Sequence, residues 1–305
     1  MRELLSSLLV GAAREDGDVV VLSGDHGYAL FDALRAERPE QFLNVGIMEQ
    51  SMVGIAAGLC RLGYKPIVYG LAAFVPIRVL EQIKIDVCRA GLPVTFIGDG
   101  AGVVYATLGA SHQCAEDLAV LRPLPGMRIY SPCGDDELLA CWRDLRRHSG
   151  PRYLRIGKSD RVPNATAAPV TADPYFTHRA GPSAAGRRCC LVAHGAMVGI
   201  ATEAGRRLGV PVMSVPRIKP LGDETCDRLA EFHDLIVVEE HARTGGLATT
   251  LAEVLCERGG AIPRVRALAL EEKFADRCGC YEYALSEHGM ADDQIMARVA
   301  ALLEG

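Results

Sequence analysis

Short apolar runs, rich in Val and Ile and bounded by Gly, Pro or Asp, alternate along this chain with segments of helical periodicity. In the first half the runs are DVVVLSG (18–24), KPIVYG (65–70), LPVTFIG (92–98), MRIYSP (127–132) and PRYLRI (151–156). Helical patterns cover 1–15, 29–37, 48–62, 75–90 and 134–148. Strands that alternate with helices of this length require crossover connections, and crossovers make a mostly parallel sheet. Composition then changes over 157–188, which is rich in Pro, Ala, Ser and Thr and carries no period, so it reads as a linker. The alternation resumes with CCLVAHG, VPVMSV, DLIVVEE and VRALAL as strands and with helices over 197–208, 222–232, 245–258 and 291–304. The fold class predicted is α/β, with two doubly wound, mostly parallel-sheet domains at 1–160 and 187–305 joined by a linker at 161–186. The 305 residues suffice for two cores.

With 49% hydrophobic and 23% charged residues, the balance is that of a soluble globular protein. A formal net charge of −5 and the lack of a basic patch argue against nucleic acid or an anionic membrane as partner. No 18-residue apolar stretch suggests a membrane span. The opening MRELLSSLLVGAARED resembles an amphipathic helix more than a signal peptide. Eleven cysteines are scattered singly, apart from Cys189-Cys190 and Cys278-x-Cys280, and no CxxC pair occurs. Reduced core thiols in a cytoplasmic protein fit this pattern better than disulfides or structural zinc.

One acid breaks the apolar pattern. In NVGIMEQSMVGIAAGLC (44–60), Glu49 opens an otherwise buried helix of Met, Val, Ile, Ala, Leu and Gly. Burying a lone carboxylate costs several kcal/mol or forces it to take up a proton. Free backbone N–H groups at a helix start offer one explanation.

The wider context offers another. FLNVGIMEQSMVGIAAGL resembles the glutamate motif of the pyrimidine-binding domain in thiamine-diphosphate enzymes of the transketolase and deoxyxylulose-phosphate-synthase branch. The resemblance continues in order through GYKPIVYGLAAFVPIRVLEQIK (63–84), GASHQCAEDLAVLRPLPGMRIYSP (109–132) and GPRYLRIGK (150–158). VVEEHARTGGLATTLAEVL (237–255) is similar to the transketolase C-terminal domain. The chain resembles the C-terminal half of a transketolase, encoded separately.

This resemblance implies that Glu49 shares a proton with the cofactor's aminopyrimidine, so that the cofactor's own amino group can take the thiazolium proton. A partly buried glutamate suits that task, because a solvated one would simply ionise. Phe74 falls where the family packs an aromatic on the pyrimidine, although core packing would also explain it. Leu71 stands where a second aromatic is expected, and Asp25 and Ile47 complete the implied cofactor contacts. His112 matches the histidine beside the thiazolium and the substrate oxygens, with Gln113 and Glu116 as neighbours that orient it. His26 faces the same cleft, although Asp-His-Gly also reads as a turn. Lys158 and Arg2 fall near the phosphate-contacting arginines of the family.

Several positions depart from the family pattern. Its acidic pair before the histidine reads Thr107 and Leu108 here, and its phosphate-contacting histidine falls on Gly100. Both changes point away from the usual pentose and hexose phosphates. GDG (98–100) imitates a diphosphate motif, but neither asparagine of the chain, Asn44 or Asn164, has the spacing to complete it. The resemblance therefore implies a partner subunit that carries the diphosphate domain and holds Mg2+ or Ca2+, with no metal ligands in this chain and an α2β2 assembly. Glu239, Glu240, His241, His194 and Gly195 are read as structural. Two enzymatic alternatives stay open, decarboxylative transfer from pyruvate to an aldehyde and a dehydrogenase β-like subunit. A degenerate scaffold is the non-enzymatic one.

Overall fold

The computed structural model describes residues 1–158, 166–167, 176–179 and 189–304. Its strands are β1 (Val19–Ser23), β2 (Phe42–Asn44), β3 (Lys65–Leu71), β4 (Thr95–Asp99), β5 (Arg128–Tyr130), β6 (Arg152–Ile156), β7 (Thr166–Ala167), β8 (Phe176–Arg179), β9 (Cys189–Ala193), β10 (Val212–Ser214), β11 (Arg217–Lys219), β12 (Asp234–Ala242) and β13 (Arg264–Leu270). They form two sheets, ordered β11-β5-β6-β4-β3-β1-β2 and β13-β12-β9-β10-β8-β7. Strands β1 to β6 are mutually parallel, as are β9, β10, β12 and β13. Among the described residues, antiparallel pairing is confined to β11 with β5, β8 with β10 and β7 with β8.

Residues in β1, β6 and β9 are buried on both faces, as the unbroken apolar runs require of a sheet covered by helices. The helix Glu49–Arg61 shows how each covering layer is made. Glu49, Met52, Val53, Ala56 and Ala57 are buried at spacings of three and four, so one stripe meets the sheet. The N-terminal segment forms the helix Arg2–Glu15 and buries Leu5, Leu9, Val10, Ala12 and Ala13. All eleven cysteines are free, and most are buried. Among the described residues, no helix is long and apolar enough to cross a membrane.

The described structure differs from the sequence reading at several places, among them the following. The pattern at 75–90 becomes a tight turn Ile77–Val79, a short helix Leu80–Gln82 and a π-helical turn Ile83–Cys88. Two short strands, β7 and β8, lie within the stretch read as linker and extend the second sheet at its edge. Pairing so short leaves no periodicity to read, and the rest of 159–188 lies outside the described residues. β11 crosses from the second half to pair with β5 in the first sheet. Lys219 Nζ fastens it by donating to the carbonyls of Arg122 (2.5 Å) and Leu124 (2.6 Å).

The two sheets meet at the carboxyl ends of β5, β6, β9 and β12. There Arg155 Nε donates to Asp117 Oδ2 (2.8 Å) and Oδ1 (3.1 Å), and Tyr153 Oη donates to Asp117 Oδ2 (2.7 Å). Arg155 Nη2 reaches across to the Glu240 carbonyl at 2.8 Å. His194 Nδ1 lies 2.9 Å from Ser131 Oγ, and Gly195 N–H donates to the Ser131 carbonyl at 3.0 Å. Replacing Asp117 by Asn would strand a fully buried guanidinium beside a neutral amide. The expected loss of stability is about 3–5 kcal/mol, read as a shift of the urea midpoint against the unmodified chain.

Candidate active site

In the first sheet the chain order reverses beside β1: β2 lies on one side of it and β3 on the other. Such switch points leave a crevice outside the carboxyl ends of the strands. The segments that follow β1, β2, β3 and β4 all arrive there, and each carries a residue picked out by the sequence.

Glu49 is the first residue of its helix, next to unpaired backbone N–H groups, and its side chain is only 4% exposed. It is not a lone acid. Arg78, from the turn after β3, places Nη1 3.0 Å from Glu49 Oε1. The same guanidinium lies over the Phe74 ring, 3.9 Å from its centre, as a cation–π contact. Phe74 in turn meets two imidazoles. His112 approaches its ring edge-on with centroids 5.2 Å apart, and His26 lies 5.7 Å away at 38°. Glu49, Arg78, Phe74, His26 and His112 thus form one continuous cluster drawn from four loops.

The turn after β1 is held by short polar contacts. Ser23 Oγ donates to the His26 carbonyl (2.7 Å) and accepts from the His26 N–H (3.2 Å). Asp25 has φ +62°, a left-handed conformation that Asp tolerates. Asn44 secures it: its Oδ1 accepts from the Asp25 N–H (3.1 Å) and the Gly46 N–H (2.9 Å), and its Nδ2 donates to Asp25 Oδ1 (3.2 Å). A Cβ at Gly24 would stand 3.2 Å from the Gly46 carbonyl and 3.7 Å from Glu49 Cγ, so the two loops pack without slack.

His112 sits on a loop closed by reciprocal backbone bonds between Gly102 and Cys114, 2.7 and 2.8 Å long. Its Nδ1 is 2.9 Å from Ser111 Oγ. Beside it, Gln113 Nε2 is buried and has no hydrogen-bond partner among the described residues. Burial raises the Glu116 carboxyl above its ordinary value and pushes the Cys114 thiol well up. Asp99, the acid of the GDG sequence, accepts from Tyr69 Oη at 2.8 Å and faces Tyr105 Oη at 3.5 Å. Burial and then the Asp99 charge push the Tyr105 phenol up to about 12.

Other candidates stand outside this cluster. Lys158 Nζ is 3.5 Å from Glu282 and 4.7 Å from the centre of the Tyr281 ring, on the wall of a cavity of about 290 Å³ formed with the second sheet's helices. Arg2 Nη2 donates to the Tyr28 carbonyl. Leu71 is buried at the end of β3, where its carbonyl accepts from the Phe74 N–H at 2.8 Å. Ile47 is 74% exposed. Sequence reasoning does not single out Arg78 or Asn44 as site residues. Arg78 has a signal, since it is the only basic residue between Lys65 and Lys84. Among the described residues, no group of three or more His, Cys, Asp or Glu side chains stands together to hold a metal ion.

Residues 1–161 match the transketolase pyrimidine-binding domain, and residues 179–273 match the transketolase C-terminal domain. The chain belongs to the transketolase family, of which it carries these two domains. One subunit of the apulose-4-phosphate transketolase of Phocaeicola vulgatus is 35% identical over 263 residues, covering 84% of this chain and 83% of that one. A 1-deoxy-D-xylulose-5-phosphate synthase of Cupriavidus metallidurans is 35% identical over 242 residues, which span 78% of this chain and 38% of that longer protein. A solved split-gene transketolase, described as an inactive beta4 tetramer, superposes with a TM-score of 0.81 at 29% identity, covering 99% of this chain and 97% of that one.

The family depends on thiamine diphosphate, and the residues gathered here fit the aminopyrimidine end of that cofactor. Glu49 would offer a ring nitrogen a buried acid and Phe74 would offer the ring an aromatic surface, while Gln113 Nε2 is a buried donor without a partner among the described residues. The ion pair within this cluster is measurable. A double-mutant cycle of Glu49→Gln and Arg78→Met on the chain, read by urea unfolding, is expected to give a coupling of about 1–3 kcal/mol.

Proposed function

We propose that this chain is the C-terminal subunit of a split, thiamine-diphosphate-dependent transketolase. It transfers a two-carbon ketol unit from a ketose or ketose-phosphate donor to an aldehyde acceptor, in the cytoplasm and only together with a partner subunit. The observation that carries this reading is the cluster in which Arg78 joins the buried Glu49 carboxyl to the Phe74 ring, with His112 edge-on to that same ring. Thiamine diphosphate, when bound, supplies the carbon nucleophile. In this reading Glu49 holds or gives a proton at the aminopyrimidine, and Phe74, Leu71, Ile47 and Asp25 seat the ring. His112 serves the substrate oxygens as proton carrier or alkoxide donor, a role an imidazole can fill near neutral pH. Gln113 and His26 border the same space, and Arg2 and Lys158 stand further out as cations for a phosphate.

Partner dependence rests on two supports. The chain offers the pyrimidine end its ligands, while a diphosphate needs a cation and oxygen donors that the resemblance places on another subunit. The solved relative is described as inactive in its beta4 form, as a β subunit lacking its partner would be. The proposed partner is the N-terminal transketolase subunit carrying the diphosphate domain with Mg2+ or Ca2+, in an α2β2 heterotetramer. Leu108, 52% exposed in the turn Ala106–Leu108, stands where the family grips a sugar hydroxyl with an acid. A less hydroxylated substrate follows from that exchange. The synthase relative supports a second reading, decarboxylative transfer from pyruvate, which would release carbon dioxide.

With the partner subunit supplied, Glu49→Gln is expected to lower ketol transfer by about 10²-fold or more, and an unchanged rate would support the scaffold reading. Isothermal titration of the chain alone with thiamine diphosphate and Mg2+ is expected to show no tight binding, whereas the reconstituted pair binds. Turnover of xylulose 5-phosphate with ribose 5-phosphate is expected to fall short of ordinary transketolases. Equal efficiency there would overturn the altered-substrate reading.

A further inference from the structure

Glu240 lies near the carboxyl end of β12 in the second sheet, yet its side chain reaches the first domain. Its carboxylate is fully enclosed, and both oxygens are used. Oε1 accepts from the Val103 N–H at 2.7 Å, and Oε2 accepts from Tyr281 Oη at 2.6 Å. Val103 is the first residue inside the loop that the Gly102–Cys114 bonds close, the loop whose far end is His112 and Gln113. Tyr281 begins the helix Tyr281–Glu287, and Gly279 just before it donates its N–H to the Ala106 carbonyl of the same loop at 3.3 Å. One carboxylate therefore fastens the loop at its neck and also the segment that props it in the middle.

The backbone is shaped around this contact. Gly102 has φ +77°, and a Cβ there would stand 2.3 Å from Glu240 Oε1. A side chain at 102 would evict the carboxylate. Nearby, the Ala115 carbonyl accepts from the Ala242 N–H at 2.7 Å, so the loop's other exit is tied to the same strand.

We infer that Glu240 is a positioning residue for the His112 loop, and that the second domain thereby takes part in presenting His112 to the substrate. The inference rests on the role proposed for His112 above. A buried carboxylate is the side chain suited to this position, because it accepts two donors from two diverging segments at once. Losing a charge-assisted bond of this kind frees the attached backbone to open about tenfold or more often.

The test uses the reconstituted two-subunit enzyme with Glu240→Ala, Glu240→Gln, Tyr281→Phe and Gly102→Ala. Hydrogen exchange in 103–113 is expected to quicken about tenfold in Glu240→Ala and Gly102→Ala, with the helix Glu49–Arg61 unchanged. In the same two variants kcat is expected to fall about 10–100-fold while cofactor affinity holds within about twofold. Combining either variant with His112→Ala is expected to cost little beyond His112→Ala alone, since both remove the same group from its place. Glu240→Gln, which still accepts from Val103, is expected to restore kcat to within about threefold, with Tyr281→Phe in between. Unchanged exchange in 103–113, or losses that multiply fully with His112→Ala, would overturn the inference. So would a kcat loss matched by an equal loss of cofactor binding. If Glu240→Ala does not fold, Gly102→Ala and Tyr281→Phe carry the same readouts. Full activity of His112→Ala would instead refute the role proposed for His112, while the exchange measurement still reports whether the strut exists.

Discussion

Arg155 and Asp117 pair at the end of β6 with no access to water, and the arrangement of the two domains depends on that pair. Desolvating a guanidinium and a carboxylate together is costly unless the geometry is near ideal and every remaining donor finds an acceptor. Here the carboxylate also accepts from Tyr153, and the guanidinium also donates to the Glu240 carbonyl of the second sheet. Burial works to lower the Arg155 pKa, but the neighbouring Asp117 and Glu240 carboxylates override it and raise it above its ordinary value. The pair is satisfied only when the carboxyl end of β12 lies against it. This makes the orientation of the second sheet a condition of burying the first sheet's charges.

The second sheet has a switch point of its own, beside β9, and its crevice is filled by protein. His194 and Glu239 lie in it with side chains fully buried. Glu239 accepts from the Leu247 and Ala248 N–H groups at the start of the helix Leu247–Arg258, at 2.6 and 3.1 Å. The neighbouring glutamates diverge. Burial pushes both upward, and it prevails at Glu240 despite the Tyr281 and Val103 hydrogen bonds. At Glu239 the imidazoles of His194 and His241 and the Ala248 N–H outweigh burial and hold the carboxyl below its ordinary value. Burial lowers both of those imidazoles below their ordinary values. A crevice closed in this way acts as an interface, whereas the open crevice beside β1 gathers the side chains proposed for chemistry.

Within that open crevice, Arg78 alters the meaning of Glu49. In the sequence the acid is an isolated charge on an apolar helix. In the fold it has a cationic neighbour, which itself rests on Phe74. Phe74 thus meets Arg78, His26 and His112, each within 6 Å of its ring centre, and Arg78 links that ring to the acid.

Strand and helix alternation, the parallel sheets and the acid at the start of its helix were all readable from residue order, because period and burial are local properties of a chain. Glu49, Phe74 and His112 could be named because they lie in contiguous motifs that resemble the transketolase family, and such runs are visible in residue order alone. The pairing of Arg78 with Glu49 and of Asn44 with Asp25 was not readable, because each joins separate loops whose approach depends on strand order within the sheet. The crossing of β11 and the grip of Glu240 on Val103, 137 positions apart, belong to the same class. Buried charges choose partners by proximity in space, and that proximity exists only once both sheets have been packed end to end.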